Sequence, residues 1–167
     1  ADILKSRPGA TVHERTPAPE AGVFPVIHCN QEIPCDPCAA VCPNDLIEMD
    51  KTDIRLLPSF VSEKRGKGCT GCEKCVAICP GLAITLVDYR KDAEFPTVAV
   101  PFEFLKDTLA AGDHVVVEDT DGNALGRVEV AAVKAIKAND RTVIIKVRAP
   151  RAFAKRIAGI RLQPPET

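Results

Sequence analysis

The chain has 167 residues, 46% of them hydrophobic, and its 22 basic and 23 acidic side chains leave a formal net charge of −1. That length suits one or two domains, and the near-neutral balance excludes the strongly basic footprint of a nucleic-acid binder. No stretch reaches the ~18 apolar residues of a membrane span and no apolar signal-peptide core opens the chain, so neither membrane insertion nor secretion is expected.

Residues 1–23 are polar and carry Pro8, Pro17 and Pro19. They bury too little to fold alone and read as an extended arm lying over its own domain or a partner. Residues 24–27 form a short apolar strand that leads to His28, read as a packed or solvated side chain, and to Cys29. Two short helical turns, 39–41 and 76–78, each run into a Cys-Pro step, where the proline ends the loop. After each step an alternating apolar run, 46–49 and 82–87, predicts a strand. Residues 50–53 predict a turn, with 54–57 returning as the second strand of a hairpin. Between the helical turns, residues 62–68 set Lys64, Arg65 and Lys67 ahead of Cys69, in what reads as a small charged insertion. Its cations are solvated, or offset nearby negative charge and steer a partner.

Residues 88–94 are polar and link two halves. Beyond them a strand is expected at 95–100, then a helix over 102–109 opened by Pro101 and stopped by Gly112. Strands follow at 114–118, 126–136 and 142–148, with turns at 119–123 and 138–140. Pro150 introduces a second short helix over 151–158, ended by Gly159, before a last strand at 160–162. Several short antiparallel strands of this kind predict a small barrel or sandwich. This half has no cysteine and no phosphate loop; His114 reads as structural, and Arg148, Arg151, Lys155, Arg156 and Arg161 form a basic cluster, either a solvated face or a docking surface.

The chemistry lies in the cysteines. Residues 69–80 read C-x₂-C-x₂-C-x₃-C-P through Cys69, Cys72, Cys75, Cys79 and Pro80. Upstream, Cys35, Cys38, Cys42 and Pro43 repeat the last part of that pattern, with Cys29 ahead as a fourth cysteine after a longer x₅ spacer. Shifting by 37 positions lays Cys35 on Cys72, Ala40 on Ala77 and Ile47 on Ile84, so the segment is an internal duplication that uses all eight cysteines of the chain. Two such local runs argue against four disulfides in a small secreted scaffold. Zinc sites usually come as paired C-x₂-C and do not need the C-x₃-C-P tail. The compartment expected is therefore reducing cytoplasm.

On these motifs, roughly residues 24–92 resemble the two-cluster bacterial-type ferredoxin family, whose cysteine runs hold [4Fe–4S] clusters. The resemblance implies two such clusters and a ligand set that crosses the repeats. Cys29, Cys35, Cys38 and Cys79 would hold one cluster, and Cys69, Cys72, Cys75 and Cys42 the other, with Val41, Val76, Ile78, Ile33 and Ile47 excluding water. The fold class implied is α+β: an arm at 1–23, a dicluster ferredoxin-like domain at 24–93, and a small antiparallel β-barrel or sandwich at 94–167 serving as a docking module. The whole chain is also similar to the ferredoxin-type subunits of multisubunit flavin-dependent amino- or imino-acid dehydrogenases. That implies an electron-transfer subunit of an oxidoreductase, with flavin in partner subunits, no nucleic acid partner and no catalytic residue of its own. The alternative is a freestanding soluble ferredoxin shuttling electrons between several enzymes.

Overall fold

The computed structural model describes residues 22–29, 34–53, 55–103, 109–136 and 139–161. The arm expected at 1–23 and Ile33 lie outside them, apart from the last two residues of the arm. The described chain is mostly antiparallel sheet with a few short helices. In chain order these are β1 (Val23–Ile27), α1 (Pro37–Val41), β2 (Ile47–Glu48), β3 (Ser59–Phe60), α2 (Ser62–Arg65), α3 (Lys74–Ile78), β4 (Ile84–Asp88), β5 (Thr97–Glu103), β6 (His114–Glu118), β7 (Ala124–Ile136), β8 (Asn139–Arg148) and β9 (Gly159–Arg161).

Seven strands form one sheet in the order β1-β4-β5-β8-β7-β6-β9, and β2 and β3 form a separate ribbon. Every described pair is antiparallel. The sheet curls until β9 comes near β5, yet β9 and β1 remain its two ends, so no barrel closes among the described residues. The link at 88–94 is the β4–β5 connection, and those two strands pair directly, with Val87 opposite Val98. One sheet therefore runs through both halves of the sequence.

Side-chain alternation gives this sheet two distinct faces. Val87, Val98, Val143, Ile145 and Val147 point into one interior, completed by Val117, Val130, Ile157 and Ile160. Ile84, Leu86, Ala99 and Ile144, one residue out of step, point the other way and pack with Val76, Cys38 and Cys75. At about 1.5–3 kcal/mol for each large apolar side chain removed from water, this second face is what holds α1 and α3 in place. No helix among the described residues is long and apolar enough to cross a membrane.

Four local expectations are corrected. The helix expected from 102 does not start there: β5 runs through Pro101 to Glu103, and residues 104–108 lie outside the described set. Pro101 is tolerated because β4 pairs only as far as Ala99, leaving that stretch of β5 with β8 as its single partner. The returning strand expected at 54–57 is not formed over 55–57, residue 54 lying outside the described residues, and β2 pairs with β3 instead. The Asp50 carboxylate accepts from the Thr52 and Asp53 amides, and the Asp53 carboxylate accepts from the Arg55 amide and guanidinium, which spreads the reversal over more residues. The helix expected over 151–158 is a single 3₁₀ turn, Ala154–Arg156, built from i→i−3 bonds such as Arg156 N–H to Phe153 O. Finally, Asn139 and Asp140 belong to β8 rather than to a turn; Ala138 is outside the described residues.

Candidate metal centres

The duplication seen in the sequence is repeated in the backbone. Cys38 and Cys75 are each the second residue of a five-residue helix, α1 or α3, and both are buried. Cys42 and Cys79 end these helices in nearly the same conformation, φ −69° ψ 116° and φ −62° ψ 115°. Each is followed by a left-handed residue at the matching position, Asp45 (φ 54°) and Leu82 (φ 52°). That turn folds the next amide back onto the thiol: Leu46 N–H lies 3.4 Å from Cys42 Sγ, and Ala83 N–H lies 3.4 Å from Cys79 Sγ. The charged insertion before Cys69 is α2, fastened where Arg65 reaches Asp45 (3.2 Å) and Glu48 (3.4 Å).

Around these helices the eight thiols divide into two groups. Cys42, Cys69, Cys72 and Cys75 line one cavity, and Cys29, Cys35, Cys38 and Cys79 line a second, wider groove. The last cysteine of each run thus turns away from its own loop and toward the other. None of the eight is in a disulfide. Among the described residues no group of three or more His, Cys, Asp or Glu side chains is placed to hold a metal ion.

Electrostatics mark the same grouping. Burial, reinforced by Cys29 and Cys79, pushes the Cys38 thiol up from 9.0 to about 12. Burial, reinforced by Cys69 and Cys72, pushes Cys75 up to about 12 as well. Cys35 is raised by burial, then by Cys79 and Asp36; Cys69 is raised by burial, with Cys72 and Cys42 adding to it and the Gly71 amide and Arg90 opposing it. Thiols crowded this way hold their protons until a cation replaces them.

Two side chains escaped the sequence reading. Glu73, between Cys72 and Cys75, is 6% exposed, sits in the left-handed region at φ 65°, and meets Lys146 Nζ at 2.8 Å and Lys134 Nζ at 3.7 Å. The only signal for it is that the duplication lays Asp36 on Glu73, an acid at the same place in both runs; nothing in the sequence marks one as buried. Arg90 is clamped by Asp88 through its Nε (3.0 Å) and Nη2 (2.8 Å), and its guanidinium lies against Gly71, where an added Cβ would sit 2.9 Å from Nη2. Gly71 in turn donates to Cys69 Sγ at 3.4 Å.

The remaining candidates are placed as follows. His28 is packed, its Nε2 3.0 Å from Thr85 Oγ1. His114 is exposed at the start of β6. Val76 and Ile47 are buried beside the thiols and Val41 is half-buried, but Ile78 is 47% exposed and does not exclude water, because it lies on the outer side of α3. The basic C-terminal cluster is dispersed into separate ion pairs: Arg148 with Asp92, Arg151 with Glu94, Arg156 with Asp119, and Arg161 with Glu118. Compared with protein-family models, curated proteins and solved structures, the chain matches none.

Proposed function

We propose that this protein is an electron-transfer subunit that binds two [4Fe–4S] clusters, one within each group of four thiols, and works inside a larger flavin-containing oxidoreductase. The observation that carries the reading is the crossing of the last cysteine of each run into the other group, which the ferredoxin-type spacing requires of a two-cluster protein. The donor chemistry fits: four sulfurs per site, loop amides of Leu46, Gly71 and Ala83 beside them, and an apolar floor from Ile47, Val76 and Ile84.

When bound, such a group accepts and releases one electron at a time. The chain's own residues do the rest. Cys38 and Cys75, fixed at the helix starts, set the depth of each site. The Leu46 and Ala83 amides donate to the crossing thiols and orient them. The second face of the sheet keeps water from below. With four thiols in each set no ligand position is left for a substrate, so the subunit has no reaction of its own and the flavin chemistry belongs to its partners. The cytoplasmic, reducing location expected from free thiols belongs to the same reading.

The test is anaerobic purification with iron and acid-labile sulfide analysis. About eight of each per chain are expected, with broad visible absorbance and paramagnetic signals on reduction. Cys72→Ser should abolish one signal and with it electron flow through the relay, leaving the other site loaded. Zinc in place of iron, without sulfide, would discard the reading. A purified monomer that exchanges electrons with several unrelated reductases would instead favour the freestanding ferredoxin.

A further inference from the structure

We infer that Glu73 is a positioning residue for the Cys42/Cys69/Cys72/Cys75 site and that the C-terminal half governs this site through Lys146 and Lys134; this rests on the two-cluster reading above. The duplication supplies an internal control. Asp36 occupies the matching place in the first run and is exposed, whereas Glu73 is buried. A buried carboxylate is costly unless paired, and Glu73 is paired only from the other half of the sequence.

The geometry of that pairing follows from the sheet. Along β8, Val143, Ile145 and Val147 point into one interior, and Ile144 and Lys146 point toward α3. On β7, Lys134 pairs opposite Ile144 while Lys146 lies opposite Ala132, so the two lysines are diagonal neighbours across the strands. Lys146 meets Glu73 Oε1 closely at 2.8 Å, while Lys134 forms only a looser ion pair with Oε2 at 3.7 Å, an oxygen that is buried without a hydrogen bond among the described residues. Glu73 holds a left-handed backbone that a glutamate adopts at a cost, and this places Cys72 outward and Cys75 inward on either side of it.

Two consequences separate this role from simple packing. First, Glu73 sets one negative charge against a thiolate site, and the lysines cancel it. Each one-electron reduction adds a further negative charge next to that pair. Removing Lys146 therefore disfavours reduction at this site, and neutralising Glu73 favours it. Second, among the described residues the C-terminal half brings Glu118 and Asp119, and neither Lys134 nor Lys146, to the other thiol group, so that site should respond little to changes at Lys146, Lys134 or Glu73.

The experiment is an equilibrium redox titration of the full-length, cluster-loaded chain, followed by paramagnetic resonance, with the two signals assigned against Cys72→Ser. Lys146→Gln is expected to lower the reduced-to-oxidised ratio of this site about tenfold at fixed poise, a shift of about 59 mV. Glu73→Gln should raise it by a similar factor, and the double variant should return close to wild type. Lys134→Gln, on a longer contact, should act in the same direction as Lys146→Gln but more weakly, and it guards against a misfolded Lys146 variant. Single variants that leave the potential unmoved, move it in the same direction, or move both sites equally would overturn the inference while leaving the two-cluster function standing. A wild-type chain without iron and sulfide would overturn both.

Discussion

The two cysteine runs are alike inside and unlike outside. Their helices, their crossing thiols and their left-handed turns superpose at an interval of 37 residues. Their surroundings do not. The second run carries a buried acid held by two lysines from β7 and β8 and an arginine laid over Gly71. The first has an exposed acid at that place and opens into a groove bordered by Glu118, Asp119 and Gly159 from the C-terminal half. The two runs thus share their local backbone and differ in what surrounds it, and it is the surroundings that set the two thiol groups apart.

The largest test of that comparison is to remove the surroundings altogether. Deleting residues 95–167 strips β5 and β8 from the sheet, uncovering Val87 and Leu86 and leaving Glu73 without either lysine. Such a chain is expected to lose cooperative folding, seen as exposed hydrophobic surface and loss of a thermal transition. A truncated chain that folds and loads both sites would show that the halves are independent. A smaller test is alkaline titration of the metal-free protein. Cys38 and Cys75 are raised in the folded state, so the fold retains its full stability below the ordinary thiol pKa of 9.0 and loses it as pH climbs toward about 12. At 1.36 kcal/mol for each unit, on the order of 3–4 kcal/mol per thiol is at stake, less any relaxation. Denaturant midpoints measured between pH 8 and 11 check the slope; a flat profile would mean that the thiols are not desolvated.

How much of this could be read from the sequence follows from the range of the interactions. The cysteine spacing, the helical turns ending at Cys-Pro and the strands at 24–27, 82–87 and 114–118 are local patterns, and the corresponding elements stand within a residue or two of their expected ends. Pro101 misled because a proline opens a helix or sits on an unpaired strand stretch equally well, and only the end of β4 decides between them. Closure into a barrel could not be judged either. Whether β9 pairs with another strand or stays an edge depends on curvature accumulated over seven strands. Glu73 was invisible for the same reason: its burial is caused by Lys146, far along the chain, in a strand whose alternation says which side chains share a face but not what they face.

The next step down in size concerns Gly71, whose counterpart in the first run is the exposed Pro34. An alanine there would sit 2.9 Å from Arg90 Nη2, but that atom is the free end of a long side chain and moves cheaply. The backbone term decides: at φ 77° a Cβ costs about 1–2 kcal/mol. Gly71→Ala should lower stability by that amount, about 2–8 °C in the thermal midpoint, and Arg90→Gln in the same background should recover almost none of it. Recovery of the full loss would assign the cost to the contact instead.

The smallest effect comes from the one place where the matching turns differ in chemistry. Asp45 and Leu82 share a left-handed backbone, at φ 54° and φ 52°. Aspartate and asparagine tolerate that region better than other side chains with a Cβ, because a short polar group bonds locally, whereas leucine gains nothing there. Leu82 is only half-buried, so little packing is lost on replacing it. Leu82→Asn is therefore expected to stabilise the chain by about 0.5–1 kcal/mol, with Asp45→Asn as its control, where the backbone gains nothing and the exposed ion pair with Arg65, worth about 0–1 kcal/mol, is lost. Equal responses at both positions would mean that the surroundings of Leu82, and not its backbone, set the balance, and the turns would then differ as much as the environments do.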